Sequence, residues 1–109
     1  MPWLLRDGEV LATLEVAESR RERRHGLRHR DELEGALLLR PARAIHTFGV
    51  RFPLDVAYCD RDLAVLRVAT VPPTRLCRPC LRAACVIEAE AGSFTRWSLA
   101  PGDHLEVKE

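Results

Sequence analysis

The sequence predicts a mainly β, single-domain protein: a β-sandwich or partly closed barrel with one short N-terminal helical segment and a brief helix near the C-terminus. Three observations carry this prediction. Six or seven short apolar or alternating runs are separated by turn residues, only two stretches hold helix signals, and 109 residues suffice for one core but not two. Strands do not alternate with helices, so a parallel sheet, whose connections need a dozen or more residues each, is not expected.

Val10 to Ala17 alternates, with Val10, Ala12, Leu14 and Val16 on one face and Leu11, Thr13 and Glu15 on the other, which is the pattern of a half-buried strand. Ser19 and Glu22 stand at capping-box spacing, so a short helix begins there and runs into Gly26, with a further turn expected at Asp31, Glu32 and Leu33. Ala36 to Leu39, bounded by Gly35 and Pro41, is too short for three helical turns and reads as a buried strand. Leu54 to Cys59 and Leu63 to Thr70 read as antiparallel strands joined by the turn Asp60-Arg61-Asp62. Residues 71 to 82, with Pro72, Pro73 and Pro79, form a surface loop of a length that implies binding or the wrapping of an edge. Ala83 to Ala89 resumes as a strand, Gly92-Ser93 starts a helix across Phe94 to Leu99, and Pro101-Gly102-Asp103 turns into a last strand, His104 to Val107.

Composition narrows the function classes. The chain is 47% hydrophobic and 30% charged, which suits a folded soluble protein. Seventeen basic and sixteen acidic side chains leave a net charge of +1, so no overall field draws the chain to nucleic acid or to an anionic membrane. The arginines and histidines of residues 20 to 30 are offset by Glu22, Asp31 and Glu32 and lack interleaved aromatic residues; they read as a solvated helix exterior. Trp3, Leu4 and Leu5 are far short of a signal or spanning segment, so a cytoplasmic protein without a membrane anchor is expected, its cysteines reduced.

Several motifs in order carry a family resemblance: Arg-His-Gly-Leu-Arg-His-Arg within Glu18 to Leu33, His46-Thr47-Phe48-Gly49, Pro53-Leu54-Asp55-Val56, Asp60-Arg61-Asp62, Val86-Ile87-Glu88 before Ala91-Gly92, and Pro101-Gly102-Asp103. Across about residues 10 to 107 the chain resembles the domain-of-unknown-function family 192 (DUF192). The resemblance implies a jelly-roll-like sandwich and no settled activity. Three positions depart from it. Arg28 and Val50 stand where methionine is usual, and Leu63 stands where glycine is usual, which implies a differently built hairpin because leucine resists positive φ.

The candidate site lies in residues 45 to 55, which otherwise read as buried strand interrupted by Gly49 and Pro53. There His46, Thr47, Arg51 and Asp55 bring together an imidazole, a hydroxyl, a guanidinium and a carboxylate, a set suited to a polar or anionic small molecule or a partner's loop. The alternative is that Thr47 and Asp55 only satisfy backbone amides around the irregular segment. Glu88 belongs to the set if it faces His46 or Arg51, although strand alternation favours a solvent-facing position. The reading is a non-enzymatic binding module without a cofactor. Two alternatives stand beside it: zinc or thiol-redox chemistry through Cys59, Cys77, Cys80 and Cys85, and a hydrolase using a His/carboxylate pair.

Overall fold

A computed structural model describes residues 1–109. Seven strands form the sheet: β1 (Trp3–Arg6), β2 (Glu9–Ala17), β3 (Ala36–Leu39), β4 (Leu54–Cys59), β5 (Val65–Val71), β6 (Cys85–Glu90) and β7 (Leu105–Lys108). Their order across it is β5-β4-β6-β3-β2-β1-β7. Two short helices accompany them, α1 (Arg20–His25) and α2 (Ser93–Trp97). The sheet curls until its edges meet at one end, where Ala64 and His104 form a single bridge and Val65 N donates to Asp103 O at 2.8 Å. It is not closed into a barrel. The mainly β, sandwich-like class predicted from sequence is what the chain adopts, and no helix is long and apolar enough to cross a membrane.

One strand lies outside expectation: β1 carries no clear sequence pattern, because Arg6 follows only three apolar residues, and it forms by pairing with both β2 and β7. The sheet is not a parallel one, as expected, and holds a single parallel pairing, between β2 and β3. The segment between them, residues 18–35, is long enough for one crossover although α1 fills little of it.

The capping box forms as read: Ser19 Oγ accepts from Glu22 N, and Glu22 Oε1 accepts from Ser19 N, both at 3.0 Å. Gly26 ends the helix at positive φ. The turn expected at residues 31–33 lies earlier, at 26–29, leaving Leu33 outside any turn and buried. The β4–β5 hairpin keeps a left-handed residue at the usual place, Leu63 at φ +65°, so the expected change of build does not occur. Its side chain sinks into the core, and burial offsets the backbone strain.

Alternation along β3, β4 and β6 sorts side chains into two apolar layers on opposite faces. Ala36, Leu38, Ala57, Cys59, Cys85 and Ile87 join Leu4, Leu105 and Phe94 inside the curl. Leu37, Leu39, Leu54, Val56, Tyr58 and Val86 form the outer layer. That layer is covered by connections rather than by a second sheet, through Leu27 and Leu33 of the crossover, Val50, and Ala83.

Residues 40–53 are irregular rather than a kinked strand, with His46 as their one bridge residue, opposite Leu76. They zip against the 72–84 loop: Thr47 N donates to Arg75 O at 2.7 Å, Cys77 N to Ile45 O at 3.1 Å, and Cys80 N to Arg43 O at 2.8 Å. Such bonds stand in for a ladder, because buried backbone groups without partners would be costly.

Asp55 fastens α2 to the sheet. Its carboxylate, buried on β4, accepts from Thr70 Oγ1 at 2.7 Å, Gly92 N at 2.9 Å and Phe94 N at 3.0 Å. It therefore supplies the side-chain cap that Gly92 cannot. Asp55→Ala is expected to cost about 2–3 kcal/mol. Urea unfolding monitored by circular dichroism checks this, with a loss below ~1 kcal/mol contradicting the assignment.

Candidate functional site

The structure does not gather the expected residues into one hollow. Thr47 is fully buried and structural: its Oγ1 donates to Pro72 O and accepts from Arg75 N, each at 2.8 Å. Asp55 is the cap just described. Arg51 pairs with Asp31 at 2.9 Å on the open surface, where such a bridge contributes little. His46 is exposed, its Nδ1 accepts from Phe48 N at 3.3 Å, and its ring lies against Phe48 at 5.1 Å between centroids. The backbone-supporting alternative thus describes Thr47 and Asp55.

Glu88 behaves differently. Alternation places it with Val86 on the outer face as read, but that face is covered by the connections, so the side chain is only 4% exposed instead of solvent-facing. No hydrogen-bond donor of the protein reaches its carboxylate, whose pKa burial pushes up to about 7. No sealed side-chain nitrogen or oxygen of the protein lacks a partner, so the unpartnered Glu88 oxygens open onto the space above them.

That space is a cavity of about 200 Å³ between α1, the chain leaving β3, and the 46–50 segment. Leu27, Leu39 and Val50 line it beside Glu88 at the buried end. Arg24, His25 and His46 are exposed at its mouth, and Arg23 and Arg28 are half-buried there. Arg23 is committed to the carbonyls of Glu18 and Arg40. Arg24 and Arg28 have no carboxylate partner in the protein, since its four ion pairs involve Arg6, Arg30, Arg40 and Arg51. Gly49, at φ +82°, lets Arg28 lie close: a Cβ there would stand 3.3 Å from Arg28 Cγ. His29 N also donates to Gly49 O at 3.1 Å, joining the two sides of the mouth.

Of the expected site residues, the cavity therefore unites His46 and Glu88 and adds Arg24, His25 and Arg28, which sequence reasoning placed on a solvated helix exterior. The 72–84 loop lines no part of it. The available signal was Glu88 itself, a carboxylate set in an apolar strand.

The cysteines do not converge either. Cys59 and Cys85 sit opposite each other on β4 and β6 in the inner layer, whereas Cys77 and Cys80 pack on the outer one. All four are free thiols, and no three His, Cys, Asp or Glu side chains group as a metal would require. A hydrogen bond with Cys85 and burial push the Cys59 thiol up; burial and the Glu88 charge do the same to Cys77. Neither is a ready thiolate.

A curled, mainly β sheet with a cavity under its crossover, holding a buried carboxylate among apolar side chains, defines a small mainly β scaffold. The chain belongs to the DUF192 family, described as "Uncharacterized ACR", whose pattern matches residues 4–107. Its fold is similar to that of a Novosphingobium aromaticivorans protein of unknown function, at 23% identity and a TM-score of 0.81, covering 96% of this chain and 82% of that one. It is also similar to a Sinorhizobium meliloti protein provisionally described as a transcription regulator, at 21% identity and a TM-score of 0.79, covering 97% and 91%. No curated protein matches the chain.

The raised Glu88 pKa has a measurable consequence. Between about pH 4.5 and 7 the unfolded chain releases the Glu88 proton while the folded one keeps it, so this residue lowers stability as pH rises through that window. Glu88→Gln is expected to stabilise the protein above pH 7, on the order of 3 kcal/mol, and to change little at pH 4. Arg23, Arg24, His25, Arg28 and His46 face the same cavity and Cys77 lies beside it, so the difference between wild type and variant across pH isolates the Glu88 contribution. Equal stability of the two proteins at pH 8 would contradict the buried, unpartnered carboxylate.

Proposed function

We propose that the protein is a small, non-enzymatic binding module whose ligand, a polar or anionic small molecule, seats in the cavity above Glu88. The observation that carries this reading is the Glu88 carboxylate itself. A charge-bearing group taken out of water without a protein partner costs stability, and a site that binds an occupant gives that cost a use. Arg24 and Arg28, unpaired at the mouth, supply guanidinium groups suited to a carboxylate or phosphate. A volume of about 200 Å³ admits a small molecule or a single side chain of a partner's loop. The reading takes the protein to be cytoplasmic, a compartment in which four free thiols persist.

A second reading, a hydrolase using Glu88 as general base with His46, draws on their shared cavity and on a carboxyl group titrating near neutrality. It is the weaker one, because no hydrogen bond joins His46 to Glu88: His46 Nδ1 accepts from Phe48 N instead.

Thermal-shift screening against a panel of small carboxylates, phosphates, amines, amino acids and sugars tests the binding reading. A saturating ligand is expected to raise the melting temperature by several degrees. The double variant Arg24→Ala/Arg28→Ala is expected to weaken that ligand at least tenfold, as loss of a charge-assisted contact does. A panel without a hit, or a hit indifferent to the double variant, would count against this site.

A further inference from the structure

We infer that the ligand of this cavity is a compact amphoteric molecule, with an amine or amidine that pairs with Glu88 at the buried end and a carboxylate or phosphate that meets Arg24 and Arg28 at the mouth. This rests on the binding reading above and narrows it to one ligand chemistry. Three features point to it.

The first is that neither end has a counter-charge in the protein. Glu88 receives no protein donor, and neither arginine has a carboxylate partner. No ion pair joins the two ends, and burial is what raises the Glu88 carboxyl. An occupant with a cation at one end and an anion at the other supplies a partner to each. The second is the apolar part of the lining, Leu27, Leu39, Ala42, Ile45 and Val50, which matches a short run of methylenes rather than a hydroxylated chain. The third is sign. A simple anion at the arginines would leave Glu88 without a partner, and a simple cation would leave the arginine mouth unmatched; an occupant charged oppositely at its two ends complements both.

Titration of the ¹⁵N-labelled protein at pH 8 tests this, because Glu88 is then mostly ionised while an alkylamine remains protonated. The probes are 3-aminopropanoate, 4-aminobutyrate, 5-aminopentanoate and 2-aminoethyl phosphate, with butyrate, inorganic phosphate and butylamine as single-ended controls. At least one amphoteric probe is expected to bind tenfold or more tightly than its single-ended counterparts, shifting the amides of residues 24–28 and 88. Glu88→Gln is expected to erase that advantage while leaving the weak binding of butyrate or phosphate in place. If the anions alone bind as tightly as the amphoteric probes, or if Glu88→Gln strengthens both alike, the inference is overturned while the cavity stands as an anion site. If no probe shifts these amides, the inference falls, and the wider thermal-shift panel judges the binding reading separately.

Discussion

The centre of this sheet is covered on both faces. β3 and β4 are buried along their whole length, and β6 is buried up to Glu90. Alternation then requires two separate covers, because successive side chains leave opposite sides of a strand. The inner cover comes from the curl of the sheet itself together with α2. The outer one is assembled from the crossover, the 40–53 segment and the 72–84 loop, none of which offers a regular apolar face. Thr47, the His46–Leu76 bridge and the Gly49 approach all serve to hold this irregular cover in place. A cover made of loops packs less completely than a second sheet, and the gap it leaves sits over Glu88.

Two buried carboxylates on neighbouring strands show how far the two faces differ. Asp55 points inward at the end of the curl, where a helix start and a threonine supply three donors. Glu88 points outward, where the cover supplies none. They are close in the sheet but separated by it, so they form no acid/base pair. The first stabilises the fold, and the second costs it stability at neutral pH.

Much of the fold is legible in the sequence because it rests on local rules. Alternation along β2, the capping box of Ser19 and Glu22, and the Asp60-Arg61-Asp62 turn each specify their element without help from distant residues. β1 and the parallel β2–β3 pairing are not legible, since both depend on partners far along the chain. The site was half visible for the same reason. His46 and Glu88 stand out as polar groups in apolar runs, but whether Glu88 meets solvent depends on what covers its strand. Arg24, His25 and Arg28 resemble any exposed helix until the crossover is laid across that face. Thr47 and Asp55, the most site-like residues by type, are spent on backbone amides and carbonyls, as residues beside irregular chain usually are.

Helix α1 contributes no buried residue, and its six residues are too few to be stable alone. The crossover is pinned instead by Leu27 and Leu33 beyond its end and by the Ser19–Glu22 box at its start. Fraying of this helix would break only the few hydrogen bonds at residues 18–26, and both apolar layers beneath it would keep their contacts.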